Sequence, residues 1–566
     1  MDSIIKKGLF IFFWCILQMA SGQNTKLIST SYVGGKGNDV AAGVGIIDQS
    51  VWLAGNFDDL YIDPVKYPNP PPQLFIGNHK DSITGKIIII SASTGRIEMT
   101  LNPGGHVTDF YSDRKLPERA YVSGTFGITC INTRTKEIIW NNSQLNDVKK
   151  IKVNLHGMIA ALTSSSLYYI DGQAGNIISF TPLTYSGVTD IAIVNDKIFI
   201  TGYEWLSNID NKSYCNNYAA DKPKFFQVAF LSSFIMSGGK YLTPLDTTWG
   251  YSNDQISCHL ASTRGVKLCT GADGYLYFLG ETTNSENIFK YNGKVAAGGD
   301  SIGIPSSATY IVADQYSDIT SVSPYTPITY CAKVDPATGA VLQGQFYMGR
   351  TDSLINGYNN TGFEVFEGAL DVDIYGYIYI GGKVHEGVPV RNVDFPNPSS
   401  VGTYAGGDPT LLINNPSWGR DAWRVFTGTN GKGSIVAIAS NNGYTVAIGK
   451  VEKGDFASLN MEEHSWNPEE DQVFDVYVAC FKNLNFPDIT QIENNPGGKP
   501  VTAVESLFSR DFQQDMEVIE LIDLQGKKLL QQRSLEFQEL KNFPSGNYLV
   551  RMVYPDQVIV RKIHLE

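Results

Sequence analysis

The sequence predicts an all-β chain: a β-propeller of about seven blades, with six or eight compatible with the same pattern, then a small C-terminal antiparallel β-sandwich. Three observations carry this. One hairpin ending on glycine recurs along the chain, a second hairpin type alternates with it, and the strand pattern changes after Phe486-Pro487.

The first hairpin is clearest at Ile191–Gly202, where two apolar runs flank the polar turn Asn195-Asp196-Lys197. It returns at Val44–Gly55, at Val266–Gly280 around Ala272-Asp273-Gly274, at Leu370–Gly382 around Ile374-Tyr375-Gly376, and at Ile435–Gly449 around Asn441-Asn442-Gly443. Weaker copies lie at Ala120–Gly124 and Met158–Leu162. Short runs of Val, Ile, Tyr and Phe bounded by Asn, Asp and Gly read as hairpins. The second type places Thr94-Gly95, Thr135-Lys136, Ala174-Gly175 and Thr338-Gly339 after runs starting at Ile87, Ile128, Leu167 and Ile328. Glycine supplies the positive φ that such turns need. Two hairpins make four strands, which is one blade. Strand ends near Gly55, Gly124, Leu162, Gly202, Gly280, Gly382 and Gly449 set the count. An irregular array of sandwiches is the alternative, and the regular alternation of two hairpin types argues against it.

A chain of 566 residues is long for one domain, and propellers are the usual exception. Aromatic residues at 12% with 30 Tyr suit half-exposed strands, and no window carries a capped helical period beyond the N-terminal region. A net charge of −13 argues against nucleic acid and against anionic lipid as partners.

Residues 1–22 read as a signal peptide. Lys6-Lys7 precede the apolar run Leu9–Leu17, and Ala20-Ser21-Gly22 places small residues before Gln23. The run is too short to span a membrane comfortably, and no later window is apolar enough to do so. Residues 23–487 form the propeller. The opening Gly34-Gly35-Lys36-Gly37-Asn38-Asp39, followed by Val44–Gly55, resembles the bacterial β-propeller repeat family whose units start with Gly-Gly and end in an aromatic-apolar-x-Gly strand. Long insertions are expected at Asp58–Ile76, which holds a proline-rich run from Pro68 to Pro72, and at Glu204–Lys224, Glu281–Pro327 and His385–Arg420. Each follows the glycine ending a first-type hairpin, so all should open on one face, where binding usually sits. Cys130, Cys331 and Cys480 lie in second-type strands and read as buried apolar residues. Cys258 and Cys269 are close enough in sequence to bridge a strand pair, and Cys215 sits in an insertion.

No catalytic motif emerges. The seven histidines form no metal spacing, and neither a nucleophile elbow nor a phosphate-binding glycine loop is present, so no cofactor and no metal is expected. Asp371 and Asp373 could face one side of a strand, but they precede a turn, and turn chemistry is the better reading. Asp273 reads likewise as a turn residue. Trp205 and Tyr214 in one insertion, Trp249 in a nearby connection, and Trp418 and Trp423 in another are candidate ligand-facing aromatics, suited to sugar rings or protein partners.

Residues 488–500 contain Asn494-Asn495-Pro496-Gly497-Gly498 and read as a linker. Residues 501–566 alternate apolar and polar positions in the manner of a small sandwich. The motifs Ile522-Asp523-Leu-x-Gly526-Lys527 and Leu540-x-x-x-Pro544-Ser-Gly546-x-Tyr548-Leu-Val, with Arg561-Lys562 near the end, resemble the type A C-terminal sorting domain of type IX secretion substrates. Family members usually open on Tyr-Pro-Asn-Pro, where this chain has Asn494-Asn495-Pro496-Gly497. The resemblance implies Sec export to the periplasm and transfer across the outer membrane by the type IX secretion machinery. Removal of the module by a sortase-like peptidase follows, leaving the protein secreted or on the cell surface. The expected function is therefore binding, with a glycan or protein partner. A glycan-active hydrolase or lyase on the same scaffold is the alternative. Carboxylates, His or Arg converging on the central depression would favour the enzyme, and an apolar or plugged centre with aromatic loop tips would favour binding.

Overall fold

Every regular element among the described residues is a β-strand. The computed structural model describes the strands and short connections between Thr25 and Asn483 and four strands between Val518 and Leu565. Residues 1–24, 208–224, 250–262, 284–326, 352–358, 385–406, 453–460, 464–473 and 484–517, with several shorter connections, fall outside the described residues. The signal peptide, the linker, Tyr214, Cys215 and Cys258 lie there.

Strand pairing defines seven blades, each with strands a to d from the axis outwards. Blade 1 is Val40–Ile47, Ser50–Asn56, Gly85–Ser91 and Ile97–Asn102. Blade 2 is Val107–Ser112, Arg119–Gly124, Gly127–Asn132 and Ile138–Asn142, and blade 3 is Val148–Val153, Met158–Thr163, Ser166–Asp171 and Ile177–Pro182. Blade 4 is Val188–Val194, Lys197–Ser207, Phe225–Ser237 and Leu245–Trp249. Blade 5 is Thr263–Thr270, Leu276–Thr283, Pro327–Val334 and Val341–Tyr347, and blade 6 is Phe363–Val372, Ile378–Val384, Asp408–Asn414 and Arg420–Val425. Blade 7 takes Lys432–Asn441, Tyr444–Glu452 and Phe474–Asn483 from the end of the propeller and Thr25–Val33 from its beginning. The a strands pack in a closed ring, blade 7 against blade 1 included.

The two predicted hairpin types are the a–b and c–d pairs. In each a–b pair the register slips by at least one residue on strand a, a bulge that the repeated glycine on strand b faces. A Cβ on Gly202 would overlap the carbonyl oxygen of Gly187, and one on Gly124 that of His106. In blade 3 this position is Thr163, opposite Val148, one residue beyond the expected Leu162. Sheet faces pack against neighbouring blades on both sides. Val33, Val44, Leu53, Ile88, Val446 and Val478 bury together between blades 7 and 1. This is why b and c strands such as Ile87–Ile90 are continuous apolar runs.

Three expected insertions need correction. The stretch His385–Arg420 contains strand c of blade 6. Its c–d turn runs from Asn415 to Gly419 and puts the positive φ on Trp418 (67°), so the glycine signal falls one residue late. The first part of Glu204–Lys224 continues strand b of blade 4 to Ser207. In the proline-rich insertion, Gln73–Phe75 adds a parallel edge strand to blade 1, and the buried Tyr67 hydroxyl accepts the Ile97 N–H at 3.1 Å. Proline before a short edge strand costs no ladder bond.

The four C-terminal strands, Val518–Asp523, Lys528–Gln532, Gly546–Val553 and Val558–Leu565, form one antiparallel sheet with the first and third at its centre. Asp523 pairs with Tyr548 and Leu549 with Lys562. The second sheet of the expected sandwich, and Gly526, Lys527 and Pro544, lie outside the described residues.

Candidate functional site

On each a strand one residue resumes the pairing directly after the bulge, at an equivalent position in every blade. From blade 1 to blade 7 these residues are Gly43, Asp109, Lys150, Asp190, Lys267, Ala369 and Ala437. Blades 2 to 5 thus present Asp, Lys, Asp, Lys in order around the axis, and blades 6, 7 and 1 present only small residues. Two residues further along the strands lie Tyr111, Lys152, Cys269 and Asp371, because a strand repeats its side every second residue.

The carboxylates stitch blades together. Asp109 Oδ2 accepts the Ile151 N–H at 2.8 Å, and Lys150 Nζ lies 3.6 Å from Asp109 Oδ1. Asp190 Oδ2 accepts the Leu268 N–H at 2.9 Å. Asp371 Oδ2 accepts both the N–H and the hydroxyl of Ser440 at 2.7 Å, while the Cys269 thiol reaches Asp371 Oδ1 at 3.7 Å. Each bond joins neighbouring or near-neighbouring inner strands, and a carboxylate that accepts a buried N–H makes a strong hydrogen bond.

The lysines feel this environment unequally. Burial pushes the Lys267 ammonium down to about 8, Lys150 and Lys152 add repulsion, and Asp190 offsets part of it. Burial also works against the Lys152 ammonium, but Asp190 and Asp109 outweigh it and hold its pKa above the ordinary lysine value. Both side chains are half-buried on the inner strands. The centre is therefore neither an apolar plug nor a set of spare carboxylates. It is a lysine-rich half-ring whose aspartates are engaged by backbone of other blades.

Among the sequence-predicted site residues, Asp373 is a turn residue as expected. It accepts N–H bonds from Tyr375 and Tyr377 and the Tyr379 hydroxyl at 3.0 Å. Asp273 accepts the Tyr275 N–H and the Tyr277 hydroxyl and pairs with Lys333 at 2.8 Å. Asp371 departs from the turn reading and bonds across the inner strands to Ser440. Trp418 and Trp423 are buried at 1% and 2% exposure, against the expectation of ligand-facing aromatics. Trp418 stacks near Tyr277, and Trp423 donates its indole N–H to Thr410 Oγ1. Both fill the space between blades 5 and 6. Trp205 is 60% exposed beside Tyr203 on the extended strand b of blade 4. Trp249 lies on strand d of the same blade. Cys130, Cys331 and Cys480 are buried free thiols on c strands, and Cys269 forms no disulfide. Among the described residues no group of three or more His, Cys, Asp or Glu is arranged to hold a metal, and no helix is long and apolar enough to cross a membrane.

The strand pairing and the closed inner ring define a seven-bladed β-propeller. No family model matches the chain, and no curated protein matches it. Among solved structures, one titled "Structure of U3-55K" aligns at 8% identity with a TM-score of 0.41, over 80% of this chain and 98% of that one. Another, "Crystal structure of WD40 beta propeller domain of Doa1", aligns at 11% identity with a TM-score of 0.35, over 81% and 97%.

Proposed function

We propose that this protein is a binding propeller, exported by the type IX route, that presents one face to a glycan or protein partner. The observation that carries the binding reading is the inequality of the two faces. Residues 57–84, 208–224, 284–326, 385–407 and 453–473 all connect strand b to strand c, and so leave the same end of their blades. The a–b and c–d connections leave the other end and are shorter in sequence, and the described ones include the hydrogen-bonded turns Asn154–Met158, Asp171–Asn176 and Asp335–Ala340. Long connections on a rigid scaffold are where recognition residues concentrate. The exposed Trp205 extends blade 4 towards that same end.

Export is supported by the residues of the C-terminal module: Asp523, Gly526, Lys527, Pro544, Gly546, Tyr548 and Lys562 match the sorting pattern. A second reading, a lyase or hydrolase acting on an acidic glycan, draws on Lys267. An amine with a pKa near 8 beside two further lysines could act as a base next to an anionic substrate. A glycan array and a depolymerisation assay on the mature chain from Gln23 separate the two. Retained binding without turnover supports the binding reading. Turnover lost in Lys267→Met would replace it with the enzyme.

A further inference from the structure

We propose that Lys150, Lys152 and Lys267 together hold one oxyanion, a carboxylate or sulfate group, among the inner strands of blades 3 and 5. The site takes up the anionic ligand on which the second reading above draws, and it rests on that reading only for the ligand's source. Lys150 and Lys267 occupy the same place on two a strands. Each resumes the pairing after a bulge, opposite Leu162 and Leu279. Lys152 lies two residues beyond Lys150 and so on the same side of its strand.

The carboxylates of this half-ring do not satisfy the three amines. Only Asp109 and Asp190 stand with them on the inner strands of blades 2 to 5, so three ammonium groups face two carboxylates. Both carboxylates are pinned to backbone. Asp109 Oδ2 holds the N–H of Ile151, between the two lysines of blade 3, and Asp190 Oδ2 holds that of Leu268, next to Lys267. Lys150 Nζ stays 3.6 Å from Asp109. Among the described residues neither Lys152 nor Lys267 has a carboxylate within ion-pair distance. Lys152 Nζ lies 6.0 Å over the Tyr111 ring instead. The next carboxylate around the ring, Asp371, is taken up by Ser440 and the Cys269 thiol.

The amines also share one space. Lys150 and Lys152 both act against the charge on Lys267 from two blades away, and Asp190 and Asp109 act on Lys152 and Lys267 alike. Charges in salt solution influence one another appreciably only within about 8–10 Å. An anion placed among the three ammonium groups turns their mutual repulsion into attraction. The gain is larger on half-buried strands than at a surface, because less water screens it. Lysine binds carboxylate, sulfate or phosphate as a point charge, without the planar fork that arginine requires.

The test uses the mature chain from Gln23 in low-salt buffer at pH 7. Sodium sulfate and sodium galacturonate are titrated in by calorimetry, against sodium chloride of equal ionic strength. One sulfate should bind per chain, galacturonate should displace it, and neutral galactose should not. Lys267→Met and Lys152→Met should each weaken sulfate by about tenfold or more. Lys149→Met, at the exposed neighbour that pairs with Asp147, should leave binding unchanged. Wild-type affinity should fall as pH rises through about 8, where the Lys267 ammonium releases its proton, whereas Lys267→Arg should bind on both sides of that pH. An oligogalacturonate bound with the same dependence on the lysines makes a glycan the source of the anion, and sulfate bound without it makes the ligand a free oxyanion. Sulfate bound with no depolymerisation leaves the site standing and removes only the enzyme reading. Sulfate that binds no better than chloride, or that binds Lys267→Met as tightly as wild type, overturns the proposal.

Discussion

At single positions the fold makes sharply different demands on the same residue type. Gly202 and Gly449 hold equivalent positions on their b strands, yet a Cβ on Gly202 would strike the Gly187 carbonyl, whereas one on Gly449 would meet only side-chain atoms at 3.4 Å or more. Gly202→Val should therefore destabilise the protein by about 2–4 kcal/mol, and Gly449→Ala should move Tm little. Urea unfolding of the two variants checks this. Asp408 makes a second demand. It occupies on blade 6 the position of Asp475 on blade 7, is fully buried, and has neither carboxylate oxygen hydrogen-bonded. Burial raises its carboxyl to about 7. The folded state then holds a proton that the unfolded chain releases near the ordinary aspartate value. Stability falls as pH rises between the two and stays reduced above 7. Asp408→Asn should raise Tm at pH 8, with a gain that shrinks as pH falls below about 7 and vanishes near the ordinary aspartate value of about 4, read from melting curves across that range.

The elements show what a linear reading reaches and where it stops. The a–b and c–d hairpins were legible because short-range turn chemistry writes them: Gly95, Gly175 and Gly339 do take positive φ at 72–75°. Blade 6 hid its outer hairpin because Trp418 fills the left-handed position in glycine's place. Its indole gains the space between blades 5 and 6, a packing term invisible in local sequence. Trp418→Ala should cost about 3–5 kcal/mol, and Trp418→Gly should cost measurably less than that, since it relieves the backbone while losing the same contacts. The closing strand was illegible for a different reason. Its partner Phe474–Asn483 lies at the far end of the propeller, so no local pattern pairs the two strands. Ser29 and Ser31 donate hydroxyl bonds to the carbonyls of Ala92 and Gly95 in blade 1, at 2.8 and 2.7 Å. A mature chain starting at Val33 should lose cooperative melting, followed by circular dichroism. The lysine-rich inner ring was missed because Val148-Lys149-Lys150-Ile151-Lys152-Val153 reads as an ordinary half-solvated strand. Its position on the axis follows from ring closure alone.

At the scale of the whole molecule, the propeller strands end at Asn483 and the next described strand begins at Val518. Our proposal makes the C-terminal module an address. Deleting residues 501–566 should leave the propeller's melting transition unchanged and hold the protein in the periplasm, scored by cell fractionation. Truncated protein at the surface would instead make the module part of the binding apparatus. The closing strand carries one more consequence. Thr25 pairs with Asn483, so the two ends of the propeller segment are hydrogen-bonded neighbours and its seven blades have no privileged first member. The chain order is in effect a circle cut at one arbitrary point. Joining Asn483 to Thr25 with a short glycine-rich link and reopening the chain at the tight Ser164-Ser165 connection of blade 3 should give a permuted propeller with the same inner ring. In that molecule a covalent link spans the present closure, and the pairing of Met158–Thr163 with Ser166–Asp171 in blade 3 takes over the task of holding the circle shut.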